Sequence, residues 1–346
     1  MMKTSMKQFF LAPAASLFMA AALLSSCGGN TKESGDSEAS GVSSDLSGSI
    51  QIDGSSTVYP VTEAVAEEFR AEAPEVKVTV GVSGTGGGFK KFVRGEIDIN
   101  NASRAISAEE AAQAKEHNIT FEQLEITYDG LTVVVHPQND WVKDITVAEL
   151  KKIWEPAAQN KIKKWNQIRP EWPDQEIHLY GAGVESCTYY YFTEAIVGKS
   201  HASRGDYTAS EDDNVLVQGV STDPNALGFF GFAYYQENKD KLKAVPVDDQ
   251  NEANGKGAIS PTVETVKDGT YAPLSRPLFL YVNSKAVARP EVVAFINFYL
   301  DNAAELSQEV GYIPLPAAEY KKQKEKFTAF AQGTGSSKQD TSNSKQ

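Results

Sequence analysis

Residues 83–89 (SGTGGGF) join a strand-like stretch at 76–80 to a helical pattern that ends at Gly95. Two other segments repeat this order of strand, Gly/Ser/Thr loop and helix start: 53–60 (DGSSTVYP) and 181–188 (GAGVESCT). In chain order we call these three segments the first loop (53–60), the second loop (83–89) and the third loop (181–188). Strands that alternate with helices in this way indicate an α/β fold with a mostly parallel sheet.

Hydrophobic periodicity extends this pattern along the chain. Short apolar or alternating runs predict strands, and amphipathic runs with a 3.6-residue period predict helices. The predicted strands are 49–53, 76–80, 131–136, 176–180 and 278–282, and the predicted helices include 60–73, 146–154 and 291–302.

The three loops have the composition of an anion-binding site. A helix N-terminus presents unpaired N–H groups and the positive end of the helix dipole, and hydroxyl groups add uncharged donors. The alternative is that the Ser and Thr residues are only helix N-caps, although capping does not require three consecutive glycines. A fourth loop, 101–104 (NASR), ends in Arg104. Its guanidinium could bind an oxyanion through two hydrogen bonds, or it could be a solvated surface group.

Composition excludes several classes of protein. The 346 residues carry 33 Lys and Arg against 46 Asp and Glu, a net charge of −13, and there is no basic run for nucleic acid. The two cysteines cannot form a disulfide framework, and the four scattered histidines predict no metal site. Thr193 and Ser186 stand where a P-loop and a dinucleotide fingerprint require glycine. We therefore expect no catalytic residue and no cofactor.

The N-terminus has the features of a lipoprotein leader. Lys3 and Lys7 precede an apolar stretch, and residues 24–27 (LSSC) resemble the lipobox, in which the cysteine becomes N-terminal and acylated. The alternative is an ordinary signal peptide with an incidental cysteine. We predict a signal peptide at 1–26, a lipid-modified (palmitate-bearing) Cys27 and a flexible tether at 27–47. The folded part is predicted to span 48–331, followed by a disordered tail at 332–346.

Seven ordered blocks resemble the phosphate-binding proteins of the bacterial Pst-type ABC transporter. They are 54–60, 84–92, 95–104, 186–199, 203–214, 225–235 and 273–283. The resemblance implies a two-lobe periplasmic-binding-protein-like fold of type II, with the anion in the interlobe cleft. Its two hinge crossings would fall near 135–137 and 274–276. Lobe 1 would then comprise 48–135 plus 276–331, and lobe 2 would comprise 136–275.

The same resemblance implies a set of phosphate contacts. They are Ser56, Thr57, Val58, Thr85, Ser103, Arg104, Ser186, Cys187 and Thr188. The third loop departs from the family pattern, since Cys187 stands where many members have glycine and Ala182 where some have arginine. We therefore expect Arg104 to supply the positive charge. The fourth loop also lacks an aspartate found in some members, which leaves Glu185 and Asp206 as candidates for accepting the proton of hydrogen phosphate.

The function implied is an extracytoplasmic solute-binding protein, not an enzyme, that captures inorganic phosphate and delivers it to an ABC permease. Such a protein would be a monomer anchored by lipid in the cell envelope, facing the periplasm or the outer side of the cytoplasmic membrane. One alternative keeps the fold and binds sulfate, arsenate or a phosphate ester, for which the tyrosines at 189–191 could form a wall. Another is a phosphatase that uses Cys187 or a serine, but no histidine lies near these loops in sequence to act as a base.

Replacing Cys27 with alanine is expected to release the protein from membranes and to leave ligand binding unchanged. The physical reason is that several acyl chains anchor a protein stably, whereas the mature chain without them has no predicted anchor. Membrane fractionation of the parent and of Cys27→Ala checks this. A variant that stays in the membrane pellet would show that another segment anchors the chain.

Overall fold

The computed structural model describes residues 46–339. The predicted signal peptide (1–26), Cys27 and the predicted tether up to residue 45 lie outside this range, as do residues 340–346. None of the helices in the described part of the chain is long and apolar enough to cross a membrane.

Strands and helices alternate along the described chain. The strands are β1 (Gly48–Gly54), β2 (Val76–Val80), β3 (Ile99–Ala102), β4 (Phe121–Val135), β5 (Ile145–Thr146), β6 (His178–Ala182), β7 (Thr208–Ser210), β8 (Ala226–Gly231), β9 (Lys243–Ala244), β10 (Val247–Asp248), β11 (Ser275–Asn283) and β12 (Ile313–Pro314). The helices are α1 (Tyr59–Glu72), α2 (Thr85–Phe92), α3 (Ala108–Glu116), α4 (Val147–Trp154), α5 (Cys187–Phe192), α6 (Asp213–Thr222), α7 (Phe232–Glu237), α8 (Val263–Lys267), α9 (Pro290–Glu309) and α10 (Ala317–Gln339). A π-helical turn (Thr193–Val197) continues α5.

The predicted strands and helices all have counterparts in this set, because local periodicity matches the buried faces. In α1, for example, Val61, Val65 and Phe69 are fully buried on one side of the helix. Helix α4 begins at a capping box, in which the Thr146 hydroxyl accepts the Glu149 N–H and the Glu149 carboxylate accepts the Thr146 N–H.

Ten of the described strands form one sheet, in the order β2-β1-β3-β11-β4-β8-β6-β7, with β9 and β12 also paired to β4. The outer strands are parallel: β1 with β2 and β3, and β6 with β7 and β8. The central strands are antiparallel, since β11 runs against both β3 and β4, and β4 runs against β8. The expectation of a mostly parallel sheet is therefore wrong for its centre. Alternating strands and helices predict parallel neighbours only for strands joined by a crossover helix, and β11 arrives from a distant part of the chain.

Strand β4 belongs to two groups of strands. It pairs with β11 up to Gly130 and with β8 from Leu131 onward. Its first part packs into a core with α1 and α9, and its second part into a core around Trp154, where the rings of Phe192 and Phe229 stack at 3.7 Å. The change of partner precedes the predicted first crossing at 135–137. The lobe boundaries stay a prediction.

Both predicted ends of the folded part differ from the structure. Leu46, inside the predicted tether, packs against the core of α1 and α9. Helix α10 continues to Gln339 and so includes residues 332–339, which were predicted to be a disordered tail. Extending an existing helix costs far less than nucleating one, so the packed helix around the buried Phe327 supports further turns.

Helix α2 lies close to the end of β1. Alanine substitutions at two glycines of this helix should therefore change the stability of the protein differently. A Cβ at Gly88 would lie 1.9 Å from Asn100 Oδ1 and 2.7 Å from the Gly54 Cα, whereas one at Gly86 would meet only Arg104 Nη2 at 3.6 Å. We expect Gly88→Ala to lower the free energy of unfolding by about 1–3 kcal/mol, as overpacking does. Gly86→Ala, the matched control, should be neutral or stabilising by up to about 1 kcal/mol.

Urea unfolding midpoints at an unchanged slope measure both effects. Equal midpoints for the two variants would mean that the contact between α2 and β1 tolerates a side chain.

Candidate anion-binding site

Asp53, at the end of β1, holds the first and second loops together. Its Oδ1 accepts hydrogen bonds from the Gly54 N–H (2.7 Å), the Ser83 N–H (2.9 Å) and the Ser83 hydroxyl (2.8 Å), and its Oδ2 forms a salt bridge with Lys91. Burial raises the pKa of Asp53, but the hydrogen bonds from Lys91, Ser83 and Gly54 outweigh burial and hold that pKa below its ordinary value. The carboxylate is therefore ionised and fixes both loops at the same edge of the sheet.

The fourth loop joins the other two through β3. The Ser55 N–H donates to the Asn101 carbonyl at 2.9 Å. The Ser103 N–H donates to Thr85 Oγ1 at 3.1 Å, and the Thr85 and Ser103 hydroxyl oxygens lie 3.0 Å apart. The hydroxyls of the second and fourth loops thus form a pair.

The third loop touches the first. The Ser186 Oγ accepts the Thr188 N–H at 3.1 Å, and the Cys187 thiol donates to the Ser56 carbonyl at 3.3 Å. Burial raises the pKa of the Cys187 thiol, with a further increase from Asp129. The thiol is therefore protonated and neutral at physiological pH.

The capping alternative explains only the third loop. Ser186 caps α5, whereas α1 follows Val58 and α2 follows Gly84 with no side-chain cap at either N-terminus. The glycine before α2 has a φ of 76°, a conformation that favours glycine. The hydroxyls of Thr57 and Thr85 are thus not used as caps for these helices.

A cavity of about 620 Å³ lies where these elements meet. Its lining includes five of the nine predicted contacts: Ser56, Thr57, Thr85, Ser103 and Arg104. Four are outside the lining. The Val58 side chain is fully buried in the core of α1 and α9, and Ser186, Cys187 and Thr188 lie beside the cavity in the third loop.

The opposite wall is formed by α5 and the π-helical turn. Tyr190, Tyr191 and Glu194 line the cavity, together with His201. The rings of Tyr190 and His201 stack at 4.1 Å. The sequence did not indicate His201 as a site residue, because it lies many positions after the third loop. The turn after Gly198, whose φ is 89°, brings His201 back to the cavity wall.

Arg104 lies at the cavity, but its guanidinium is occupied by a neighbouring carboxylate. Its Nη1 and Nη2 donate to the two Glu110 oxygens at 2.9 and 2.8 Å, and its side chain is 47% exposed. The pKa of Glu110 is raised by burial and lowered more strongly by hydrogen bonds from Arg104 and Ser107, so it lies below its ordinary value. Glu110 also completes the capping box of α3 with Ser107. The charge expected to serve the anion is thus paired within the protein.

Sequence reasoning missed Arg276 as a site residue and named it only at the second crossing. Arg276 lines the cavity at the start of β11. Its Nε donates to Asp129 Oδ2 at 3.1 Å, its Nη2 donates to Thr57 Oγ1 at 2.9 Å, and its guanidinium carbon lies 3.4 Å from the ring centroid of Tyr191. The available signal was an arginine two residues before the predicted apolar strand at 278–282. That signal says nothing about which loop the arginine faces.

The carboxylates named as proton acceptors lie elsewhere. Asp206 pairs with Arg204 at 2.6 Å, and the hydrogen bond from Arg204 lowers the pKa of Asp206 to about 2. Neither Asp206 nor Glu185 lines the cavity, and among the described residues the lining carboxylate is Glu194. In residues 46–339, no group of three or more His, Cys, Asp or Glu side chains is arranged to hold a metal ion.

Comparison with known proteins assigns the family. Residues 38–303 match the model of the PBP superfamily domain. The chain is 50% identical over 292 residues to the protein SphX of Synechocystis, covering 84% of this chain and 85% of that one. It is 37% identical over 330 residues to the phosphate-binding protein PstS of Staphylococcus saprophyticus, covering 94% and 96%.

A solved structure agrees with these relatives. The crystal structure of a possible phosphate-binding protein from Planctomyces limnophilus superposes with a TM-score of 0.78 at 46% identity, covering 83% of this chain and 99% of that one. The predicted type II fold and the family resemblance are confirmed. The chain therefore belongs to the PBP superfamily and, within it, to the family that contains the PstS phosphate-binding proteins.

Proposed function

We propose that this protein captures inorganic phosphate outside the cytoplasm and delivers it to an ABC permease. The observation that carries the proposal is the convergence of the first, second and fourth loops on one cavity, where Thr57, Thr85 and Ser103 present hydroxyl groups. The phosphate-binding protein PstS of Staphylococcus saprophyticus, matched over 96% of its length, supports the same function.

The chemistry of the cavity suits a small oxyanion. Thr85 and Gly86 lie in the first turn of α2, where N–H groups have no acceptor within the helix and the dipole is positive. Hydroxyl and amide donors bind an oxyanion without bringing a charge of their own. An acidic chain can therefore bind an anion, since these local groups decide the potential inside the cavity.

Anchoring and location form part of this proposal. We propose that Cys27 carries the lipid, palmitate included, that anchors the protein in the cell envelope. The folded part would then face the periplasm or the outer side of the cytoplasmic membrane as a monomer, within reach of the permease. We further propose two lobes that close on the anion, with β4 and β11 as the strands that cross between them.

The hydroxyl groups of the cavity predict a loss of affinity when they are removed. Thr57→Val and Thr85→Val should each weaken phosphate binding by about 1.5–3 kcal/mol, as expected for hydrogen bonds to a charged group. Thr188→Val should have the same effect if the third loop also contacts the anion. Isothermal titration calorimetry with inorganic phosphate measures each affinity.

The control for these variants is Thr208→Val, an exposed strand residue away from the cavity, which should bind phosphate as the parent does. Parent-like affinity in all three loop variants would mean that these hydroxyls do not contact the anion and that the loops have only a structural role. Competition by sulfate, arsenate and a phosphate ester in the same experiment tests the alternative anions.

The protonated Cys187 predicts that the protein does not act as a cysteine phosphatase. Because burial raises the pKa of this thiol, less of it is thiolate at pH 8 than in an ordinary cysteine, and alkylation should be correspondingly slow. The parent should release no phosphate from an aryl phosphate above the buffer blank. Release that disappears in Cys187→Ala would establish a cysteine phosphatase instead.

A further inference from the structure

We propose that Arg276 is the cationic residue that binds the anion and that Asp129 is its positioning residue. This inference rests on the proposed function and deepens it, since it assigns the charged contact of the same cavity to a strand that the loop motifs do not include.

Strand pairing brings the two residues together. In the antiparallel pairing of β11 with β4, Arg276 stands directly opposite Asp129. Both side chains are largely buried, at 15% and 7% exposure. The register of the two strands therefore places the two charged side chains next to each other.

The contacts of Arg276 leave one edge of its guanidinium for a ligand. Asp129 accepts from Nε, Thr57 accepts from Nη2, and the ring of Tyr191 covers one face of the plane. Among the described residues, none accepts a hydrogen bond from Nη1. Arginine presents five N–H donors in a rigid plane, so fixing Nε and one face also fixes the direction of Nη1. Arg276 lines the cavity, which makes this edge available to an anion.

The same contact orients a hydroxyl. Because Thr57 Oγ1 accepts a hydrogen bond from Arg276, its own hydrogen is directed elsewhere, and Thr57 lines the cavity beside Arg276. Arg276 and Thr57 can therefore donate to one anion together. Arg104 differs in this respect, since Glu110 occupies both of its terminal nitrogens.

Calorimetric titration with inorganic phosphate tests the proposal. Arg276→Ala should weaken binding by about thirtyfold or more, the loss that follows truncation of a buried charged partner. Arg276→Lys keeps the charge without the planar edge and should bind with intermediate affinity. Arg94→Ala is the control, because Arg94 forms its ion pair with Glu96 on the surface, and it should bind as the parent does.

Asp129→Asn tests positioning. It should weaken binding less than Arg276→Ala does, and the double variant should be no weaker than Arg276→Ala alone, because Asp129 acts through Arg276. Equal and additive losses from the two substitutions would contradict the positioning role.

The outcomes separate this inference from the proposed function. A parent that fails to bind phosphate would refute the proposed function. A parent that binds, together with a cooperatively folded Arg276→Ala of unchanged affinity, would refute the role of Arg276 alone. Loss of affinity in Arg104→Ala, with none in Arg276→Ala, would assign the charge to Arg104, as the sequence predicted.

A measurement on the parent covers the case in which Arg276→Ala does not fold. The side-chain ¹⁵N signals of Arg276, assigned by their absence from the Arg276→Lys spectrum, should shift when phosphate is added. Signals that stay in place while phosphate binds would overturn the proposal.

Discussion

The antiparallel pairing of β4 with β11 is the interaction on which the rest of the structure depends. Strand β4 pairs with β11 up to Gly130 and with β8 beyond it, so one strand connects two groups of strands and two cores. The cavity lies beside this pairing, with Arg276 at the start of β11. A change in the register of these strands would separate Arg276 from Asp129 and from Thr57 at once.

Charged side chains behind the loops of the site form ion pairs. The loops themselves carry uncharged hydrogen-bond donors. Asp53 and Lys91 hold the first and second loops, and Arg104 and Glu110 form a pair at the cavity. The hydroxyls of Thr57 and Thr85 line the cavity beside these ion pairs. Such an arrangement suits a protein of net charge −13, because Asp53, Lys91, Arg104 and Glu110 are paired with one another and the hydroxyls and helix N-termini supply donors without a full charge.

Cys187 gives the third loop a contact that a glycine could not make. Its thiol donates to the Ser56 carbonyl, which links the third loop to the first. The raised pKa of the thiol fits this structural contact and opposes a nucleophilic role. The observed contact of the Cys187 side chain is therefore a link between the third and first loops.

The sequence by itself determined what short-range periodicity and local backbone chemistry control. The alternating valines of β2, the amphipathic face of α1 and the glycine before α2 predict their elements and the loops proposed to bind the anion, because each signal lies within a few residues. Motif resemblance added the family. Only the tertiary structure decided the antiparallel centre of the sheet, the approach of His201 to the cavity and the place of Arg276. These features depend on pairing between residues far apart in the chain, such as Asp129 with Arg276, and no local pattern encodes which distant strands become neighbours.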